Sequence, residues 1–88
     1  MSTSDLKVPT IHLNGTSKDA LIESYCEAID ALHEAGRKIA AAYPNARDYY
    51  VQGPDAACAA MRQHELRLEK LKSIVTELET MVQAIDRQ

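Results

Sequence analysis

The chain has 88 residues, of which thirteen are acidic and ten are Lys or Arg, so that its formal charge is -3. A chain of this length makes one domain and buries only about 60 % of the surface that its unfolded form exposes, so self-association would help to stabilise it. The charges are interspersed, without the basic block that would favour duplex nucleic acid as a partner. No apolar run approaches the roughly 18 residues of a membrane span, and no signal-peptide segment is evident, so we expect a soluble, cytoplasmic protein without a membrane partner.

Residues 1–9 are polar and without a period, which predicts a flexible or loosely docked arm. The short alternation of polar and apolar residues at 10–13 is a weak indication of a strand, and Asn14-Gly15 is a typical turn pair. Thr16 is the expected N-cap of the first helix, because Asp19 follows three positions later in a pattern that resembles a capping box.

Apolar or small residues then recur in alternating steps of four and three, which is the period of a coiled-coil seam. In the first helix, expected over about residues 17–42, the seam consists of Leu21, Tyr25, Ala28, Leu32, Ala35, Ile39 and Ala42. Gly36 costs about 1 kcal/mol relative to alanine inside a helix, so another helix backbone is expected to approach it closely. Pro44 ends this helix, since the residue before a proline disfavours the α conformation.

The second helix is expected over about residues 54–86, and Pro54 and Asp55 suit its first turn. It repeats the same period at Ala57, Met61, His64, Leu68, Leu71, Val75, Leu78, Val82 and Ile85. Cys26 and Cys58 each fall inside a predicted helix, without a CxxC pair or a metal-ligand spacing, and are interpreted as reduced, packed residues.

Two helices joined by a modest loop predict an all-α fold, namely an antiparallel two-helix hairpin, residues 10–88, preceded by the irregular arm. Each helix also carries a second apolar row beside the seam, so its apolar face is wider than a two-stranded contact requires. We therefore expect assembly into an oligomeric helical bundle, dimeric or larger. The predicted oligomer interface comprises Ile22, Ile29, Arg67, Ile74 and Met81. The alternative is a monomer in which residues 6–13 fold back over the extra row.

No catalytic signature is legible, so an enzyme is not expected, and neither is a metal or another cofactor. His33 and His64 each precede a glutamate but lack a second histidine four residues later, so the zinc-protease motif is absent. His64 lies on the seam, where a histidine usually bonds to a neighbouring group, and His33 is expected to be a solvated surface residue.

The break over residues 43–53 is the strongest candidate for a functional site, because a helix-to-helix connection usually needs about two to eight mostly small residues. It contains three of the four tyrosines of the chain. An arginine fork suits phosphate, tyrosine faces suit a base, and amides suit base edges. The predicted ligand-binding residues of this loop are Asn45, Arg47, Tyr49, Tyr50 and Gln52. The alternative is that one tyrosine plugs the end of the hairpin while Arg47 and Asp48 bond locally.

A second polar cluster, which includes His12, Asn14 and Thr16, lies at the start of the first helix, where free backbone N–H groups attract anions. Taken alone, this cluster is better explained by an ordinary turn and helix cap. The hairpin separates this cluster from the loop by roughly 40 Å, so the two can combine only between different chains.

The segments Ile11-His12-Leu13-Asn14-Gly15-Thr16-Ser17 and Pro44-Asn45-Ala46-Arg47-Asp48-Tyr49-Tyr50, followed by His64 and Arg67-Leu68, resemble a family of small uncharacterised helical-hairpin proteins of bacteriophages and prophages. The resemblance covers about residues 10–86. That family is uncharacterised, so the resemblance implies a phage protein in the host cytoplasm but no activity. Small phage proteins of this size often act against host defence, and by this analogy we expect the chain to sequester a defence signal, such as a cyclic nucleotide or an ADP-ribose derivative. The alternatives are an inhibitor or adaptor of a host defence protein and a minor virion or assembly component.

Overall fold

The computed structural model describes residues 5–88 as two long antiparallel helices, which confirms the predicted helical hairpin. Helix α1 spans Lys18–Ala41 and helix α2 spans Ala56–Asp86. Residues 1–4 of the predicted arm lie outside the described residues. Within residues 5–88 there is no strand, so the indication of a strand at residues 10–13 was wrong.

The first turn of α1 is capped by Ser17, whose side-chain oxygen accepts a hydrogen bond from the backbone N–H of Ala20 at 3.2 Å. The prediction of Thr16 as the cap was therefore wrong by one residue. An N-cap oxygen has to reach an N–H two or three residues later, and the hydroxyl next to the first helical residue is the one that does so here. At the other end, the N–H of Ala42 bonds to the carbonyls of Lys38 and Ile39, and Pro44 follows at the predicted stop.

The connection between the helices consists of two short 3₁₀ turns, Ala46–Asp48 and Tyr50–Gln52. Gly53 then adopts φ 118° and ψ 169°, a backbone conformation that residues with a Cβ rarely adopt. Because residues 53–55 complete this turn, α2 begins at Ala56, two residues later than expected.

The core of the hairpin is thin. Among residues 5–88 only three side chains are buried, namely His64, Val75 and Ile85, all on α2. The chain exposes 6653 Å² of accessible surface, whereas a compact monomer of 9.7 kDa exposes roughly 5,100 Å². Its outline measures 61 × 23 × 17 Å. One chain therefore leaves far more surface in water than its mass requires.

The N-terminal arm runs back to the end of α2, where the carboxamide of Gln88 holds it. The Gln88 side chain accepts a hydrogen bond from the N–H of Ile11 at 2.9 Å and donates one to the carbonyl of Pro9 at 2.7 Å. Near this end of α2, Met81 and Ala84 are half-buried. Ile74, about two turns nearer the loop than Met81, is 47 % exposed. The arm is thus docked at the end of α2 and Ile74 stays exposed, so the predicted oligomer stays a prediction.

Gly36 lies at the helix contact, but the expected approach of another backbone was wrong. A Cβ at this position would meet only the side chain of Leu71, at 3.6 Å, which is an ordinary van der Waals contact. A helix that could cross a membrane does not occur in residues 5–88.

Candidate functional site

At the closed end of the hairpin, His64 links the two helices. Its imidazole is 7 % exposed, and its Nε2 lies 2.5 Å from the carbonyl oxygen of Ile39 in the last turn of α1. The Ile39 carbonyl already accepts the backbone N–H of Ala42 at 3.0 Å, and the imidazole N–H from α2 is a second donor to the same oxygen. The prediction that His64 bonds to a neighbour on the seam is confirmed.

Tyr43 closes this end of the hairpin beside His64. The two rings lie edge to face, with centroids 5.6 Å apart, and the Tyr43 hydroxyl donates a hydrogen bond to the Glu65 carboxylate at 2.9 Å. That hydrogen bond, partial desolvation and the carboxylate charge together raise the pKa of Tyr43 above its usual value of 10.0. Of the loop tyrosines, Tyr43 is therefore the one that packs on the end of the hairpin, with 44 % of the residue still exposed.

The raised pKa of Tyr43 predicts a loss of stability in alkali. Its folded pKa exceeds the unfolded value, so the stabilisation is fully present below about pH 10 and is lost as the pH rises through the folded pKa. We expect wild type to be more stable than Tyr43→Phe at neutral pH, and this difference to shrink above about pH 10. Urea unfolding followed by circular dichroism from neutral pH to about pH 11 measures it. A difference that stays constant over the whole range would contradict the role given to the hydroxyl.

The outer part of the loop is exposed. Tyr50 is 74 % exposed and Val51 is 77 % exposed, while Tyr49 is half-buried. Arg47 is exposed and forms no ion pair with another described residue. Asn45 has a local task, because its Oδ1 accepts a hydrogen bond from the N–H of Arg47 at 3.1 Å and so caps the first 3₁₀ turn. The structure therefore separates outward-facing residues of the loop from those that shape it.

The polar cluster before α1 forms a compact turn at the open end of the hairpin. The N–H of Gly15 donates to the carbonyl of His12 at 3.1 Å, and the His12 ring lies over Gly15 so closely that a Cβ there would be 2.8 Å from its Nε2. A side chain at position 15 would therefore displace the exposed His12 ring from this position. His12, Asn14 and Thr16 are all exposed.

The predicted ligand-binding residues therefore form two groups at opposite ends of the molecule. The 24 residues of α1 separate them, which corresponds to about 36 Å at ~1.5 Å per residue. Within one chain the loop group and the open-end group do not meet, so any shared site needs a second chain.

A groove along one side of the hairpin contains two hollows that the sequence patterns did not reveal. The hollow nearer the open end has a volume of about 310 Å³ and is lined by Cys26, Ile29, Asp30, Glu79, Val82 and Gln83. The hollow nearer the loop has a volume of about 380 Å³ and is lined by Leu32, His33, Gly36, Arg37, Ala40, Leu71, Lys72 and Val75. A sequence signal for this groove was present in α1, where non-seam residues recur at spacings of four, three and four: Cys26, Asp30, His33 and Arg37.

Both cysteines are exposed, so their interpretation as packed residues was wrong. Cys26 faces the groove, beside the seam, where the partner helix does not cover it. His33 is exposed, as expected. In the part of the chain that the structure describes, no group of three or more His, Cys, Asp or Glu side chains is placed to hold a metal ion.

No protein-family model matches the chain, and neither a curated protein nor a solved structure is significantly similar to it. A functional conclusion therefore has to be built on the chemistry of the two exposed ends and of the groove.

Proposed function

We propose that this chain is a non-enzymatic, homo-oligomeric binding protein that sequesters a small anionic, nucleotide-derived ligand in pockets between subunits. The observation that carries the proposal is the outward presentation of Tyr50 and Arg47 on a loop held by two 3₁₀ turns. An aromatic ring left 74 % exposed in a shaped loop is a typical recognition element. The phage resemblance supports a host defence signal as the ligand.

Within such a pocket, the guanidinium of Arg47 would hold a phosphate through two parallel hydrogen bonds. Tyr50 would stack on a base, since it is 74 % exposed, whereas the half-buried Tyr49 would present its hydroxyl or edge. Gln52 and the free amide N–H groups of Asn45 would pair with base edges. Tyr43 is excluded from this set because it is committed to Glu65 and His64.

His12, Asn14 and Thr16 of a neighbouring chain would complete the pocket. They surround the N-terminus of α1, where the helix dipole and free N–H groups favour an anion. The separation of about 36 Å between the two ends of one chain requires that this second group come from another subunit.

Isothermal calorimetry with cyclic dinucleotides, cyclic trinucleotides and ADP-ribose tests the proposal. We expect one of these classes to bind wild type, and Arg47→Ala to weaken binding at least tenfold, because a hydrogen bond to a charged group contributes about 1.5–3 kcal/mol. Tyr50→Ala should also weaken it. Arg62→Ala, an exposed arginine on α2, is the matched control and should bind as wild type does. If an oligomeric preparation binds none of these ligands, the proposal fails.

A second candidate function is inhibition or scaffolding of a host protein through the outer face of α2. The observation that favours it is the exposure of Leu66 at 45 % and Ile74 at 47 %, next to Arg67. A pull-down from host lysate separates the two functions. Loss of a captured protein with Ile74→Asp, while Arg47→Ala has no effect, would favour protein binding over ligand binding.

A further inference from the structure

The two hollows of the groove carry opposite charge. The hollow near the open end has the carboxylates of Asp30 and Glu79 in its lining and no base, whereas the lining of the hollow near the loop has His33, Arg37 and Lys72 and no acid. Outside that lining, Glu34 forms an ion pair with Arg37 within α1, so Lys72 is the cation of this hollow without an ion-pair partner among the described residues. The floor between them is apolar, and it includes Ile29, Leu32, Val75 and Val82. One face of the hairpin therefore has an apolar stripe, with acidic side chains beside it near the open end and basic side chains beside it near the loop.

We infer that this groove face is the surface through which two copies of the chain associate, in an antiparallel two-fold dimer. This inference rests on the proposed function, which takes a homo-oligomer as the active form. It adds which surface of each subunit forms the interface and how the two subunits are oriented. A two-fold axis places the same patch on both subunits, so a patch that is acidic at one end and basic at the other is complementary to itself in only one orientation.

Two face-to-face arrangements are available, and the charges distinguish them. If the loops of both subunits lay at the same end, the acidic hollow would face the partner's acidic hollow and the basic hollow would face the partner's basic hollow. If the loops lay at opposite ends, each α1 would face the partner's α1 and each acidic hollow would face a basic one. Like charges in contact destabilise an interface, so the antiparallel arrangement is the favoured one.

The spacing of the charges fits a single axis. Asp30 and Arg37 are seven residues apart on α1, and Lys72 and Glu79 are seven residues apart on α2. The midpoints of these pairs fall next to His33 and Val75, which line the same hollow and so lie at one level of the hairpin. One axis at this level brings Asp30 opposite the partner's Arg37 and Lys72 opposite the partner's Glu79. The four pairs form together.

The groove face is also open and large enough. Cys26, Glu79 and Gln83 on the groove side are exposed, and the hydrogen bonds of the arm go to Gln88, which is not among the residues that line the groove. The arm therefore leaves the groove free. The outline of 61 × 23 Å accommodates the ~800 Å² per partner of a standard interface, and the surplus exposed surface of the chain exceeds that area.

Charge-swap variants test this arrangement by sedimentation equilibrium at low salt. We expect Lys72→Glu and Glu79→Lys each to raise the dissociation constant of the dimer at least tenfold, because each places like charges opposite each other twice. The double variant Lys72→Glu/Glu79→Lys should return it to within about threefold of wild type. Glu27→Lys, an exposed position outside the groove lining, is the control for added charge and should leave the dimer unchanged.

Circular dichroism of each variant confirms that the hairpin is folded. A monomeric wild type, single variants that associate as wild type does, or a double variant that stays dissociated would each overturn the inference. Stronger association of Lys72→Glu would indicate the arrangement with both loops at one end and would overturn it as well. The outcome is separable from ligand binding, since Arg47→Ala should lose the ligand while its mass in solution stays that of wild type.

Discussion

Replacing Ile85 with alanine should lower the free energy of unfolding by about 2–5 kcal/mol, which is the cost of removing a buried aliphatic side chain and leaving a cavity. Ile85 is 0 % exposed, the lowest value in the described part of the chain, and the arm and α2 meet at this end of the molecule. With only three buried side chains among residues 5–88, a single cavity removes a large share of the core. Small domains are stable by only a few kcal/mol, so the variant should be largely unfolded at 37 °C.

Ile74→Ala is the matched control, because the same atoms are removed from a side chain that is 47 % exposed. We expect it to cost less than about 1 kcal/mol in the monomeric hairpin. Urea unfolding monitored by circular dichroism, at one protein concentration, compares the two variants. Equal losses of stability would mean that Ile85 contributes no more than a surface isoleucine, contrary to its burial.

Replacing Gly53 with alanine should destabilise the hairpin by about 1–3 kcal/mol through backbone strain alone. Gly53 has φ 118° and ψ 169°, a region that is nearly restricted to glycine. A Cβ at this position would meet nothing within 4 Å, so no steric clash with other residues adds to the effect. The loss would come entirely from forcing the turn between the loop and α2 out of its preferred geometry.

Gly36→Ala is the contrasting control and should have the opposite sign. Gly36 is in the interior of α1, where alanine is favoured by about 1 kcal/mol, and the nearest atom to the new Cβ is an ordinary 3.6 Å away. Thermal unfolding of both variants gives the comparison. A stabilised Gly53→Ala, or a Gly36→Ala that is clearly destabilised, would contradict the description of these two glycines.

The helices were predictable because their signals are local. Three signals act within a few residues of where they stand, namely the alternating spacing of four and three, Pro44, and the pair Gly53-Pro54. The observed bounds of α1 agree with the expected ones within one residue, and those of α2 within two residues. The errors were local as well. Thr16 and Ser17 are both good caps, and only the geometry of the first turn selects Ser17.

Features that depend on tertiary contacts were not predictable in the same way. In the loop, Tyr43 and Asn45 form structural hydrogen bonds, whereas Arg47 and Tyr50 face outward. Which residues do which depends on contacts to α2 and on the path of the two 3₁₀ turns. Periodicity identifies the face of each helix but not how deeply the partner helix covers its edges. The exposure of Cys26 and the groove beside it therefore became evident only from the packed hairpin.

The two hydrogen bonds that Gln88 forms with the arm also have a consequence for the order of folding events. Nearly all other contacts of the hairpin join residues that are neighbours along a helix or become neighbours once the loop turns, whereas the bonds of Gln88 to Ile11 and Pro9 join residues 77 and 79 positions apart. The entropy of closing so long a segment is lost before these two bonds are gained. The arm should dock last, after α1 and α2 have already brought the entry and exit of the chain together.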